Sequence, residues 1–543
     1  MDKLLIRILF FILILPSSLA LRGQEPGRSL ETGQVEVIRD FDARLEETQK
    51  VPLAPIIPEY AQPAGQFDYL LPVRILAVDY PAPKIRPIAM GRDKEPKVYN
   101  GYAKAGFGTL SQPYGELGYG FRDQDKLALN VHLLHHAANN SGNRENQRFS
   151  ETRGNLDFTL YSKDGMAVRG RGGYESDVNY LYGYNQADTS FLKEEVRRRV
   201  SLLELGAGIF NSAPTVAGID YSADADFYRL SESFGASSES GFLIDLEGRK
   251  MLDGTHPIGL RLVTDFSTYS DTASQNLHNF FLQPHFTFHS SRFKLRVGAN
   301  LASHDDEFFV FPDLELEVGI IGNQLGAYVG ATGTLEKNSF RNLLTYNPFV
   351  ASSLTVNNSA VSDWFGGVRG SIRDFGYEVQ AGVKSVDNLA IYLPLPVDTR
   401  QFLVLYDTAT IVYLQGMIGG ALNKQLELTA TWGTHFFDLK VNEKAWQLPA
   451  LEANFSAIYT AMQGKWKLRG EVYLADGVPY RNESLDAERL NALFDVSLGA
   501  EYLFLDQFGA WLQLNNLANN KRERWLNYPV FGFNVMAGVS ARF

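Results

Sequence analysis

The reactive side chains of this 543-residue chain are defined first by an omission: it has nine histidines and no cysteine. Disulfides, thiolate metal sites and a cysteine nucleophile are therefore excluded. His135 and His136 are adjacent, and His285 and His289 lie four apart in a strand-like stretch, so the second pair shares one face. A metal would need two or more further ligands beside either pair. Serine, threonine, histidine and carboxylates exist for hydrolysis, but no nucleophile elbow, phosphate loop or HExxH motif joins them. The expectation is no enzyme, no cofactor and no metal site.

The remaining charges are ordered with a period of two. Asp220, Asp224 and Asp226 interleave with Ala217, Ile219, Tyr221, Ala223, Ala225 and Phe227. Lys294 and Arg296 interleave with Phe293, Leu295 and Val297, and Glu378 sits between Tyr377 and Val379. Lys467, Arg469 and Glu471 oppose Trp466, Leu468 and Val472, and Asp495 and Glu501 oppose Phe494, Val496, Leu498, Ala500 and Tyr502. Such alternation marks strands with one wet and one dry face.

This texture runs from Asn100 to the end. Its connections alternate between short turns (122–126, 162–165, 211–214, 322–323, 373–374, 423–424, 464–465, 505–508) and mostly longer loops (137–149, 183–194, 336–360, 386–399, 477–489, 518–531). About 22 strands fit into residues 99–543, each about 9–11 residues in the membrane. Short turns on one side and long loops on the other predict an all-β fold, a transmembrane up-and-down antiparallel barrel of even strand number. Aromatics are 13% of the chain, and no repeat of fixed period suggests a propeller or solenoid. A net charge of −11 disfavours nucleic acid as a partner.

Residues 1–23 have Lys3 and Arg7 beside an apolar run ending at Pro16, then Ser17, Ser18 and Ala20, the pattern of a secretory signal peptide. Residues 24–98 are proline-rich, with Pro52, Pro55, Pro58, Pro63, Pro72, Pro81, Pro83 and Pro87, and read as an extended periplasmic or lumen-occupying segment. Export and a barrel together predict the Gram-negative outer membrane. The expected partners are its lipid and lipopolysaccharide, the outer-membrane assembly machinery and a periplasmic protein. Arg197–Arg199, beside a long loop, is a candidate contact for lipopolysaccharide phosphates.

The closing stretch, Leu512 to Phe543, resembles the last strands of TonB-dependent receptor barrels. The matching residues are Asn516, Leu517, Asn519 and Lys521, then Tyr528 and Pro529, then Gly538, Val539, Arg542 and Phe543, with Ala518 in place of the usual aromatic. The resemblance implies a 22-strand barrel, and it implies that Phe533, Arg542 and Phe543 form an interfacial, C-terminal assembly signal. It also implies a folded plug and a TonB-contacting box, and residues 24–98 carry no recognisable form of either. The expected function is solute passage or uptake through a plugless receptor-like barrel, porin-like in its water-filled interior. The candidate lumen-lining residues are Asp220, Asp224, Asp226, Lys294, Arg296, Glu378, Lys467, Arg469, Glu471, Asp495 and Glu501. The alternative is a structural or assembly subunit that binds a periplasmic partner through the extension.

Overall fold

A computed structural model describes residues 98–123, 126–482 and 484–543. The signal peptide expected at 1–23 and the extension at 24–98, Val98 aside, lie outside the described residues.

The described chain is a meander of antiparallel strands. The first nine are β1 (Gly101–Gly108), β2 (Gln112–Asp123), β3 (Leu127–Asn139), β4 (Arg148–Tyr161), β5 (Met166–Tyr180), β6 (Arg197–Asn211), β7 (Ile219–Glu232), β8 (Ser238–Leu252) and β9 (His256–Ser270). The next eight are β10 (Ser274–His289), β11 (Phe293–His304), β12 (Glu307–Ile321), β13 (Leu325–Asn338), β14 (Asn357–Ile372), β15 (Phe375–Leu395), β16 (Asp398–Ala421) and β17 (Leu426–Leu439). Then come β18 (Leu451–Ala461), β19 (Trp466–Ala475), β20 (Pro479–Arg481), β21 (Ala487–Arg489), β22 (Leu493–Leu503), β23 (Phe508–Asn515), β24 (Glu523–Trp525), β25 (Tyr528–Pro529) and β26 (Asn534–Arg542). Two small hairpins, β20–β21 and β24–β25, sit inside loops. The other 22 strands form one sheet, which closes where β26 pairs with β1.

Closure is what allows this sheet to cross a bilayer, since an open edge would leave backbone donors and acceptors unpaired in hydrocarbon. The expected strand number is confirmed. Large apolar side chains stand exposed on one face, as with Ile219, Tyr221 and Phe227 on β7 and Phe494, Leu498 and Tyr502 on β22. That band is the lipid-facing surface of a transmembrane barrel of the outer-membrane type.

The closing seam depends on small residues. A Cβ added at Gly538 of β26 would lie 2.0 Å from the Ala105 carbonyl oxygen and 2.6 Å from the Trp511 ring. Trp511 Nε1 donates to the Val539 carbonyl at 3.2 Å, so ring and backbone are held together there.

The region 386–399, expected as a loop, is strand. β15 and β16 run on to a tight turn at 396–397, and their 21 and 24 residues project well beyond a membrane crossing. A register shift between Val386 and Leu389, with Asn388 at φ 62, inverts the alternation part-way along. That shift is why a period-two reading loses these strands.

Gly538→Val is expected to cost about 1–3 kcal/mol through overpacking at the seam. In urea titrations of detergent-folded protein, the heat-modifiable gel band should vanish at lower urea than in the native chain.

Candidate functional site

The long loops at one end do not stand out into solvent. The 339–356 loop opens with a short helix, Phe340–Tyr346, whose N-cap is the Ser339 hydroxyl accepting from the Asn342 N–H. It continues as a buried strip, with Val350 and Ala351 almost inaccessible. This strip hydrogen-bonds to the projecting end of β16: Ala351 N donates to Phe402 O at 2.8 Å, and Phe402 N to Phe349 O at 2.9 Å.

Tyr528, from the β24–β25 hairpin, meets the strip and a third loop. Its ring stacks on Phe349 with centroids 3.5 Å apart and meets Tyr182 edge-on at 4.9 Å. Tyr182 Oη and Gln147 Nε2 both donate to the Pro529 carbonyl, and Tyr528 Oη donates to the Arg400 carbonyl. These three loops follow β5, β13 and β23, so they lie eight, eight and six strands apart around the ring of 22. Loops so evenly spaced can touch only over the barrel axis. They form an aromatic cap across the long-loop mouth.

A buried ion pair ties the cap to the wall. Arg198 Nε lies 3.2 Å from Glu232 Oε1, and the two side chains are 1% and 0% exposed. Arg198 also donates to the carbonyls of Pro348 and Val350, and Glu232 accepts from Ser352 Oγ at 2.9 Å. Both charges thus have further partners, as a buried pair requires. The lipopolysaccharide reading of Arg197–Arg199 is corrected for Arg198, since strand alternation turns this middle arginine into the barrel.

Beneath the helix lies a cavity of about 490 Å³ whose lining includes Arg171, Glu204, Asp226, Asp265, Lys337 and Arg341. Arg341 pairs with Glu204 at 2.6 Å and Lys337 with Asp265 at 2.5 Å. Glu239, almost fully buried, accepts from Tyr228 Oη and from the first helical N–H, at Phe340.

The eleven charged residues singled out from the sequence lie on the face opposite the exposed apolar band, in separate patches. Asp224 and Asp226 pair with Arg169 and Arg171 on β5 by reaching across β6. The reach is possible because β6 has glycines there: a Cβ at Gly206 would meet Asp226 Oδ1 at 2.2 Å. Asp220 pairs separately with Arg249. Lys294 stands opposite Glu317, Arg296 pairs with Asp313, and Glu378 accepts from Tyr328 Oη. On β19 and β22, Lys467 stands opposite Glu501, Arg469 lies 3.9 Å from Glu471, and Asp495 accepts from Ser497 Oγ. Glu501 also binds Lys104 across the closing seam. Phe533 and Phe543 flank β26 and are exposed, and Arg542 lies 4.0 Å from Glu501. Among the described residues, no group of three His, Asp or Glu side chains is placed to hold a metal ion.

Sequence reasoning missed the cap and its latch. The only local trace was the apolar content of "LLTYNPFVASSL" inside a loop where a solvated connection would be polar.

The same barrel occurs in solved structures. The ferripyoverdine receptor of the outer membrane of Pseudomonas aeruginosa aligns at TM-score 0.61 and 11% identity, over 83% of this chain and 73% of that one. The siderophore receptor PiuA from Acinetobacter baumannii aligns at 0.63 and 9%, over 82% of both chains. The fold is the siderophore-receptor barrel. The ferric yersiniabactin uptake receptor FyuA from Yersinia pestis aligns at 0.63 and 10%, over 83% of this chain and 81% of that one. Neither a family model nor a curated protein sequence matches the chain. At such identities the siderophore-receptor barrel is shared as a fold.

Arg198→Ala leaves Glu232 buried without its cation, a change worth about 3–5 kcal/mol. Hydrogen exchange should rise sharply at residues 348–352 and stay slow in the barrel strands. Burial also pushes the Tyr182 phenol up to about 12, and it raises the Tyr528 phenol as well. A raised phenol stabilises the cap fully below its ordinary value of about 10, and the contribution is lost as pH rises from there through the folded value. Tyrosinate absorbance should therefore show a late step that coincides with loss of the near-UV signal of the cap, and Tyr528→Phe should reduce that step.

Proposed function

We propose that this chain is an outer-membrane uptake barrel whose outer mouth is gated by its own loops. The observation that carries the reading is the meeting of three evenly spaced loops on Tyr528, above a charged inner wall. A wall of paired charges holds water and offers polar solutes many weak contacts. The aromatic cap excludes both water and solute until it moves. Entry would break the Arg198–Glu232 latch and draw the 347–356 strip away from β16.

The candidate lumen residues take their role within this reading. Asp226 and Arg171 line the chamber under the helix, with the Asp224–Arg169 pair next to them on the same two strands. Lys467, Arg469 and Glu501 form a second charged station beside the closing seam, and Glu471 lies 3.9 Å from Arg469. Resemblance to siderophore receptors favours a solute larger than porins pass, and the class of solute follows from the fold likeness alone. Phe533, Arg542 and Phe543 serve as the end signal for the assembly machinery, and the apolar band is clothed by membrane lipid. Residues 24–98 supply either a lumenal filler or the contact for a periplasmic protein.

Planar-bilayer recording tests the gate. The full chain should conduct poorly. Replacing 339–356 by a short Gly-Ser turn should raise single-channel conductance severalfold, and Arg198→Ala should produce brief openings. A chain without residues 24–98 runs in parallel, to separate any contribution of that segment. Large steady conductance in the native chain would defeat the gate. No conductance in any variant, with a periplasmic protein co-purifying, would favour the assembly role instead.

A further inference from the structure

The pairing of β12 with β13 is incomplete over its outer part. β12 pairs with β13 from Asp313–Thr332 down to Ile321–Leu325. Above that level, among the described residues, no backbone pair joins Glu307–Pro312 to Gly333–Asn338, although β12 remains paired to β11 and β13 to β14. The break falls at Pro312, which has no N–H to give. β13 instead leans inward toward the helix of the cap. Asn300 Nδ2, reaching from β11, donates to the Gly333 carbonyl at 3.0 Å, and Asn342 Nδ2 donates to the Lys337 carbonyl at 2.6 Å. Side chains close the gap: Phe311, Leu335 and Ala302 form a small buried cluster.

The depth of this seam matters. Ala299, the partner of Pro312, is six residues above the start of β11 at the short-turn end. At about 3.3 Å per residue and about 40° of tilt, it stands about 15 Å up, near the middle of a core about 30 Å thick. The unzipped edge therefore lies in the outer leaflet. An unpaired strand edge in hydrocarbon is costly and needs a cover.

Both sides of the seam are shaped for an amphiphile. Outside, Phe308 and Val310 are 85% and 76% exposed. Inside is a cavity of about 360 Å³ holding Asp313, Glu336, Asp363 and Lys384. Pro312 and Gly333, one on each strand of the seam, both line this cavity. We propose that the β12–β13 seam is a lateral portal that takes a single-chain lipid amphiphile from the outer leaflet, with its tail against Phe308 and Val310 and its polar head at the inner cavity. The portal is distinct from the axial gate: it uses neither Tyr528 nor the Arg198–Glu232 latch, although Asn342 of the cap helix holds the upper end of β13.

A diazirine-bearing palmitic acid tests this in proteoliposomes of the full chain, with cross-links mapped by mass spectrometry. Labels should concentrate on Phe308 and Val310, and a second set should appear at the lumenal residues Asn300 and Thr334. Leu335→Ala, which loosens the side-chain seal, should increase the lumenal set. Pro312→Val, which restores an N–H and lets the strands zip, should reduce it to background while the outer labels remain. Heat-modifiability of each variant confirms that the barrel has folded. Labels spread evenly around the apolar band, or lumenal labels indifferent to both substitutions, would overturn the portal.

Discussion

The architecture of this molecule rests on one requirement: backbone N–H and C=O groups must be paired or covered in hydrocarbon. The requirement makes the sheet close and sets β26 against β1. It also leaves only the connections free to vary. The short turns do no more than return the chain. The long loops hold what the wall cannot, including a helix, two small hairpins and the aromatic cluster around Tyr528. The two longest strands, β15 and β16, exist because the cap needs a surface to bind: Phe402, on their projecting end, is fully buried against it.

Inside, the same wall meets water, and its electrostatics change character with height. Along the strands, partly exposed pairs such as Arg296–Asp313 are individually weak and screened. They can rearrange at little cost. At the cap, the Arg198–Glu232 pair is dry and has backbone carbonyls and a serine to complete it. A pair of that kind contributes little net stability against an apolar substitute, yet losing one partner is severe. It therefore acts as a two-state fastening, whereas the wall pairs act as a graded surface.

Much of this was legible in the chain. Period two survives in β7, β11, β19 and β22 because each of these strands has lipid on one face and water on the other, so a single residue choice reports on both. The strand total followed from the same pattern together with the loop asymmetry. Legibility failed where that two-sided environment ends. Beyond the membrane β15 and β16 face protein and solvent, and the shift at Asn388 reverses their parity. The cap was illegible because its apolar residues come from loops far apart in sequence, and only the ring geometry brings Tyr182, Phe349 and Tyr528 together. The pairing of Asp224 and Asp226 with arginines 55 residues earlier was likewise hidden, although Gly206 and Gly208 in β6 mark the place where side chains lie across the strand.

Tyr528 has a mechanical meaning beyond its contacts. Three spans leaning on one central ring behave as an arch does on its keystone: none of them stands alone, and none can be shifted without unloading the other two. Contact at any third of the rim is therefore felt at the remaining two. In the proposed gate the three loops would therefore move together, and a solute touching one of them would meet, in effect, a single door.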